Sequence, residues 1–489
     1  MADKQSFDSE EIALRMAESC EGQFLWLKLQ EESLEDVSNK TDLERIFSAI
    51  SADITFVYER SYRGIMDSPS QRKSRALSIL RWVSFSLRPL LVNELTVALL
   101  VTAAADTFPI QKLPDTLDDA YATQSIVRIC KGLVEVRGSD TSTPAALRTV
   151  QLPHFTVKEY LAQIVAEEKR DSFSLQQHRE LAIICIRYLN YPSTWAEVPS
   201  QNESASLVQS FRRYAANSWY QHVEQCDAED SELANVLNYF FSKSNTAWEA
   251  WERWFFTSES DYQHKVKGPH GSRLHYVCRF NMLSTLRHVM AEGVSDIDLA
   301  LDNGVTALLL ACERGFASIA DILLDAGADA TLETDTGTSA FSAAVTFGYY
   351  DIVQSILKRQ SDKVKGLFGI LLPRASRLGH VQIVKLLIKS GAKVSAQDAE
   401  GYTPINAACI GAQLRIVELL LQNDSDFKTS NEKGMAPLAS ACEGGSLEII
   451  QLLVERGADV NSRTNDDWSP VNIAAAMGHF EIVRFLIQK

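Results

Sequence analysis

Nowhere in the chain does a lysine follow a glycine. That absence removes the Gly-x-x-x-x-Gly-Lys-Ser/Thr loop, in which backbone N–H groups and a lysine hold nucleotide phosphates. No two cysteines form a Cys-x-x-Cys pair, which takes away the usual zinc and dithiol frameworks. Neither a Gly-x-Ser-x-Gly elbow nor a His-Glu-x-x-His helix occurs, so the common serine-hydrolase and zinc-hydrolase constellations are missing too. Apolar runs are short. The longest candidate, around Leu95 to Ala105, follows Glu94 and falls below membrane-spanning length. The first residues, with Lys4, Asp8, Glu10 and Glu11, contain no secretory apolar core. Positive charge is scarce: 48 Lys and Arg face 63 Asp and Glu, a net charge of −15. Binding to nucleic acid or to an anionic membrane depends on the opposite sign. Together these absences predict a protein of the cytoplasm, with the nucleus also open to it, that holds no cofactor, metal or nucleotide.

What is present is repetition. The chain has 489 residues, 46% of them hydrophobic, which fits two or three globular domains. From about Gly271 to the end one pattern returns. Its apolar marker falls at Leu286, Ile319, Ile352, Ile383, Ile416, Ile449 and Ile482, in steps of 33, 33, 31, 33, 33 and 33 residues. Ahead of the first helix of each unit stand Thr306-Ala307, Ser339-Ala340, Thr403-Pro404, Ala436-Pro437 and Ser469-Pro470. A hydroxyl there caps free helix N–H groups, and proline is tolerated where no N–H is needed. Small residues follow at Ala311, Ala344, Ala408, Ala441 and Ala475, as antiparallel helices in close approach require. Gly315, Gly348, Gly379, Gly445 and Gly478 then break the chain between helices.

This period and wording resemble the ankyrin-repeat family, with about six repeats and a degenerate first one at Leu274 to Cys278. The resemblance implies an α-solenoid whose first helices and turn tips engage a protein partner.

Residues before the repeats read as helices at Glu10 to Glu32, from Thr41 to about Met66, and around Leu77 to Phe85. A short helix from Val92 to Val101, a Pro- and Asp-rich loop, a helix from Thr123 to Lys131, and strands at Leu133 to Arg137 and Leu147 to Leu152 follow in winged-helix order. Further helices are expected at Leu175 to Leu189, Ala205 to Gln225, Glu232 to Phe241 and Thr246 to Phe256. The expected organisation is mainly α, with N-terminal helices at 1–66, a winged-helix-like domain at 67–170, a helical region at 171–257, a junction at 258–270 and repeats at 271–489.

A second resemblance rests on Gly22-x-Phe24-Leu25-Trp26, Leu80-Arg81-Trp82-Val83, Arg88-Pro89-Leu90 with Glu94-Leu95, and His154-Phe155-Thr156-Val157-Lys158-Glu159-Tyr160-Leu161. In order, these words are similar to the helical and winged-helix region that follows the nucleotide-binding core of fungal NACHT-type (STAND) signalling proteins. That family's segments couple nucleotide state to the repeats. The core itself is missing here, so no nucleotide site is carried over, and either the protein is a remnant or the sequence begins after the core. The closing run Ile482 to Lys489 has no polar outer face, which predicts an array that continues further.

Several features compete for function. Cys312, Cys409 and Cys442 fall in equivalent repeat slots and read as packing residues. Trp248, Trp251, Trp254, Phe255 and Phe256 read as a packed helix rather than a ligand cage, and His264, His270 and His275 match no metal spacing. The turn tips are acidic at Asp302, Glu333, Asp335, Asp398, Glu400, Glu432, Asp466 and Asp467. As a row they predict a protein partner with a basic segment. At the 31-residue step the expected turn dissolves, Pro373 arrives two residues late, and Lys358, Arg359, Lys363, Lys365, Arg374 and Arg377 form a basic island. Two fewer residues there predict a shortened turn and a bend. The function expected is a non-enzymatic interaction scaffold or sensor module. An enzyme with an unorthodox pocket between the halves is the alternative, and DNA binding by the winged helix, through Arg128 and Lys131, is the third.

Overall fold

The computed structural model describes residues 54–102, 106–138, 142–168, 173–196, 203–226, 230–257, 272–428, 430–431 and 434–489. The expected helices before residue 54, the Gly22 to Trp26 word, Cys20, the junction with His264 and His270, and Glu432 lie outside them. Two compact units divide the chain, Met1–Ser260 and Asp261–Lys489.

In the first unit α1 (Ile54–Met66) and α2 (Ser70–Phe85) precede β1 (Leu90–Leu91) and α3 (Val92–Ala98). The next segment is α4 (Asp119–Ala122), running through a π turn (Thr123–Val127) into a 3-10 turn (Arg128–Cys130). Strands β2 (Glu135–Arg137) and β3 (Thr149–Gln151) complete an antiparallel sheet of order β1-β3-β2, with Val150 opposite both Leu90 and Val136. Strand β1 is not visible in the sequence pattern. Two residues cannot show an alternation, and the strand exists because β3 offers its free edge. Helix, strand, helix, helix and hairpin make this a winged-helix domain. What fixes β1 to α3 is Glu94, buried and capping Leu91 N–H at 2.9 Å while gripping Arg88 at 2.6 and 2.8 Å.

Helices α5 (Phe155–Glu168), α6 (Phe173–Asn190), α7 (Pro192–Trp195), α8 (Glu203–Gln209), α9 (Arg212–Val223), α10 (Ser231–Phe240) and α11 (Ala247–Thr257) finish the unit. The single helix expected over 205–225 is two, interrupted at Ser210 and Phe211, and Phe211 is fully buried there among Trp82, Tyr188 and Tyr214 with ring centroids 5.1–5.6 Å away. Trp251 of α11 is buried against Trp219, and its indole N–H donates to Ala216 O at 2.9 Å.

A polar chain threads this core. Leu87 N–H donates to the Tyr214 hydroxyl (3.0 Å), which lies 2.9 Å from His222 Nε2, while His222 Nδ1 lies 2.8 Å from His178 Nδ1. Two ring nitrogens that close need one proton between them. A proton order from Tyr214 to His222 to His178 satisfies every partner with both imidazoles neutral.

The second unit is a run of helix pairs: α12 (Arg273–Arg279) with α13 (Leu283–Ala291), α14 (Ala307–Arg314) with α15 (Ala317–Asp325), and α16 (Ala340–Phe347) with α17 (Tyr350–Val364). There follow α18 (Phe368–Leu378) with α19 (Val381–Lys389), α20 (Pro404–Ile410) with α21 (Leu414–Gln422), α22 (Pro437–Gly444) with α23 (Leu447–Glu455), and α24 (Pro470–Ala476) with α25 (Phe480–Ile487). Thr306, Ser339, Thr403 and Ser469 cap their helices through the side-chain oxygen. The row of close approach is Ala311, Ala344, Ala375, Ala408, Ala441 and Ala474, all buried. Ala475, expected in that row, is exposed instead, because a step of 33 from Ala441 lands on Ala474.

The shortened turn expected at the 31-residue step does not form. Without the Gly-Ala-polar break that ends other second helices, α17 runs on through Lys358 to Val364, kinking at Gln360 (φ −132°, ψ 28°). Pro373 sits inside α18 rather than at its start. It has no N–H to give to the Gly369 carbonyl four residues back.

Two predictions follow from this packing. A Cβ on Gly411 would sit 2.1 Å from Arg377 O, with φ ordinary, whereas Gly457 (φ +87°) has open space around it. Gly411→Ala should therefore cost roughly 3 kcal/mol through overlap with backbone, and Gly457→Ala about 1 kcal/mol through strain alone, read from urea unfolding followed by far-UV circular dichroism.

Burial, with Lys158 beside His178 and His178 beside His222, holds both histidines below the ordinary value of 6.5. The unfolded chain therefore takes up protons first, so the stability these groups contribute is full above about pH 6.5 and is lost as pH falls through the lowered values, by at most about 1.4 kcal/mol per unit and group. Tryptophan fluorescence reports mainly this unit, since only Trp468 lies beyond residue 260. The urea midpoint it follows should drop from pH 7 to pH 5, and His222→Phe should flatten that slope.

Candidate interaction surface

Between one helix pair and the next, except at the step from α17 to α18, the chain makes a finger. Each closes by a hydrogen bond from the fourth turn residue to the first: Gly304 to Leu301, Gly337 to Thr334, Gly401 to Asp398, Gly434 to Asn431 and Asp467 to Thr464, at 2.8–3.0 Å. The first turn residue then donates to the residue after the turn, as in Leu301 N–H to Val305 O at 2.9 Å. Glycine holds the last slot because φ is positive there. Asp467 takes it at φ +65° in the final finger.

This geometry sorts the acidic residues. Asp398 stands in the first slot, where its carboxylate accepts from Tyr402 N–H (2.9 Å) and Glu400 N–H (3.0 Å). Thr334, Asn431 and Thr464 do the same work in their fingers. Asp467 is ion-paired to Arg463 at 3.1 Å. Asp398 thus holds its turn, whereas Asp467 stays exposed. Asp302, Glu333, Asp335, Glu400 and Asp466 are exposed at the tips.

The basic island is not one surface. Arg359 bonds Asp325 (2.7 Å) and Asp321 (3.1 Å), and Lys363 bonds Asp329 (2.7 Å). Together with the Gln360 amide, which accepts from Ala330 N–H and donates to Ala328 O, they clip α17 back onto the preceding repeat. Lys365 is paired within its own turn to Asp362. Lys358, Arg374 and Arg377 are exposed. The sequence shows six cations in a cluster but not which of them face an aspartate, because the partners lie more than 30 residues earlier.

Cys278, Cys312, Cys409 and Cys442 are buried. Burial pushes their thiols up, that of Cys442 to about 12, so none offers a thiolate near neutral pH. His275 is also buried, beside Ser272 and Val305 O. Among the described residues no group of three or more His, Cys, Asp or Glu is placed to hold a metal, and no helix is long and apolar enough to cross a membrane. In the winged helix, Arg128 and Lys131 are exposed on the same short segment as Asp118 and Asp119, so the local charge there is mixed.

Helix pairs at this period, capped and fingered in this way, are ankyrin repeats, and they follow a winged-helix domain. Comparison with known families agrees. The family described as "Ankyrin repeats (3 copies)" matches residues 274–365, 372–464 and 411–489, and the one described as "GPI inositol-deacylase, winged helix domain" matches 64–176. Among curated relatives, the "Azaphilone pigments biosynthesis cluster protein L" of Monascus ruber is 26% identical over 319 residues, covering 62% of this chain and 64% of that protein. The chain thus spans just under two thirds of that relative. The human "Ankyrin repeat and KH domain-containing protein 1" is 32% identical over 106 residues, 21% of this chain and 4% of that protein. The crystal structure of the human ASB11 ankyrin repeat domain aligns at 22% identity and a TM-score of 0.40, over 44% of this chain and 98% of its own. Ankyrin repeats make the second unit a protein–protein interaction module.

The split among the tip carboxylates is measurable. Asp398→Ala should cost about 1 kcal/mol of stability by stripping two backbone N–H groups of their acceptor, while Asp302→Ala should stay within about 0.5 kcal/mol, both read from urea midpoints.

Proposed function

We propose that the second unit captures a protein partner by a basic segment laid along its finger tips. The observation that supports this is the division of labour in the fingers. Asp398 is consumed by its turn, yet Asp302, Glu333, Asp335, Glu400, Asp466 and Asp467 stand exposed on the fingers, Asp302 and Asp335 in the same slot 33 residues apart. A row of like charges on closely spaced supports raises the local potential more than scattered carboxylates do, and so steers a cationic segment.

We also assign the first unit the role of the helical and winged-helix region of NACHT-type signalling proteins, coupling a change elsewhere in such a protein to the repeats, in the cytoplasm. In support, the Arg88-Pro89-Leu90 and Glu94 word forms a clamp on the buried Glu94 carboxylate that fixes β1 to α3, as a rigid transmitting element needs.

The test is fluorescence anisotropy of a labelled Lys/Arg-rich peptide titrated with the full chain at low and high salt. Binding should weaken with salt, and the triple reversal Asp302→Lys/Asp335→Lys/Asp466→Lys should weaken it about tenfold or more. Equal binding by wild type and reversal variant would overturn the reading.

A further inference from the structure

The finger row has a gap, and beneath it the surface changes sign. Stepping 33 residues on from Thr334, or back from Asp398, arrives at Leu367 and Lys365. Those residues form a 3-10 turn instead of a finger. The helix that follows, α18, is 11 residues long where the first helices flanking it have 7 or 8. It contacts α16 and α20 on its flanks and α19 behind. The side left over carries Ile370, Arg374, Arg377 and Leu378, a stripe at helical spacing in which all four are exposed. Among the described residues neither arginine makes an ion pair, in contrast to Arg359, Lys363 and Lys365. No other described first helix exposes two cations.

The stripe has an apolar border. Phe347 of α16, at the position equivalent to Leu378, is 55% exposed. On the other flank that position is Gly411 and then Gly444, so no side chain rises beside α18 there.

We infer that this stripe is a docking site for an acidic amphipathic helix of a partner protein, admitted through the missing finger. Its carboxylates would take the two guanidinium forks in paired hydrogen bonds. Its aliphatic side chains would cover Ile370, Leu378 and Phe347, as in other helix-on-surface complexes. Charge complementarity selects the occupant, since two unpaired arginines framed by apolar groups in a chain of net charge −15 fit neither a basic nor a purely apolar segment. The inference rests on the reading of the second unit as a protein-binding module and adds to the finger tips a contact of opposite charge.

The experiment titrates the full chain into three labelled peptides: a helical one with paired Glu flanked by Leu, its variant with Ser for Leu, and the Lys/Arg-rich peptide. The protein variants are Arg374→Glu/Arg377→Glu, Arg374→Gln/Arg377→Gln and the finger-tip reversal, each checked for intact circular dichroism. The Glu/Leu peptide should bind wild type, lose tenfold or more with both arginine variants, lose a similar factor on Leu-to-Ser replacement, and be unaffected or tightened by the finger-tip reversal. Binding that both arginine variants retain, or that the Ser peptide matches, overturns the inference. If the Lys/Arg-rich peptide still responds to the finger-tip reversal in that case, the function proposed above stands without it. If neither the Glu/Leu nor the Lys/Arg-rich peptide binds wild type, both fail.

Discussion

Close approach of backbone to backbone is the constraint on which the repeat unit depends. Six alanines, from Ala311 to Ala474, line the contact between successive first helices. Gly411 and Gly444 stand where a single methyl group would meet a neighbouring carbonyl at 2.1–2.3 Å. With helices this near, the glycine closing each first helix lies under a side chain of the next repeat: Gly348 under His380, Gly379 under Gln413, Gly445 under His479. His380 then bonds back to Thr346 O at 3.0 Å. Small residues, helix ends and the finger turns are therefore one arrangement, not three, and a partner meets a surface whose spacing is set by the alanine row.

That arrangement is also why the repeats were legible in the sequence. A contact made again at each step writes itself as a period, so the capping hydroxyls, the alanines and the turn glycines all appear at 33-residue intervals. Where a position departs from the period, sequence reasoning fails in a specific way. Ala412, Asp424 and Asp467 adopt positive φ in slots that glycine fills elsewhere, and in the run Ala474-Ala475-Ala476 composition alone does not say which alanine enters the contact row. The stretch Lys358 to Phe368 breaks the period visibly, but the period does not say what replaces it. Whether a lost glycine gives a shorter turn or a longer helix depends on Gln360, Arg359 and Lys363 finding partners one repeat earlier, and a linear pattern does not reveal those.

The first unit shows the opposite case. Its helices could be placed from apolar spacing, but β1 pairs with residues 58 and 60 positions further on, Phe211 packs against Trp82 129 positions before it, and His178 meets His222 44 positions on. Nothing local announces them. The Arg88 to Glu94 word could be recognised as a word, and only the structure explains it, as one carboxylate capping a helix and holding a guanidinium at once. The candidate surface was half legible in the same sense. Acidic residues at turns can be counted, but which ones the turn consumes is a matter of geometry.

The gap in the finger row also has a metrical side. Adjacent first helices pack at about 8–10 Å, so the fingers on either side of the gap, two steps apart, are separated by roughly 20 Å. An extended chain crosses that distance in about six residues. A partner bearing two basic clusters joined by a shorter stretch could hold only one side of the rim. One with a longer stretch could hold both, and its second attachment would then be an intramolecular event. If the rim holds a basic segment as proposed, the missing finger makes it a ruler as well as an electrode, able to separate partners of equal charge by the distance between their charges.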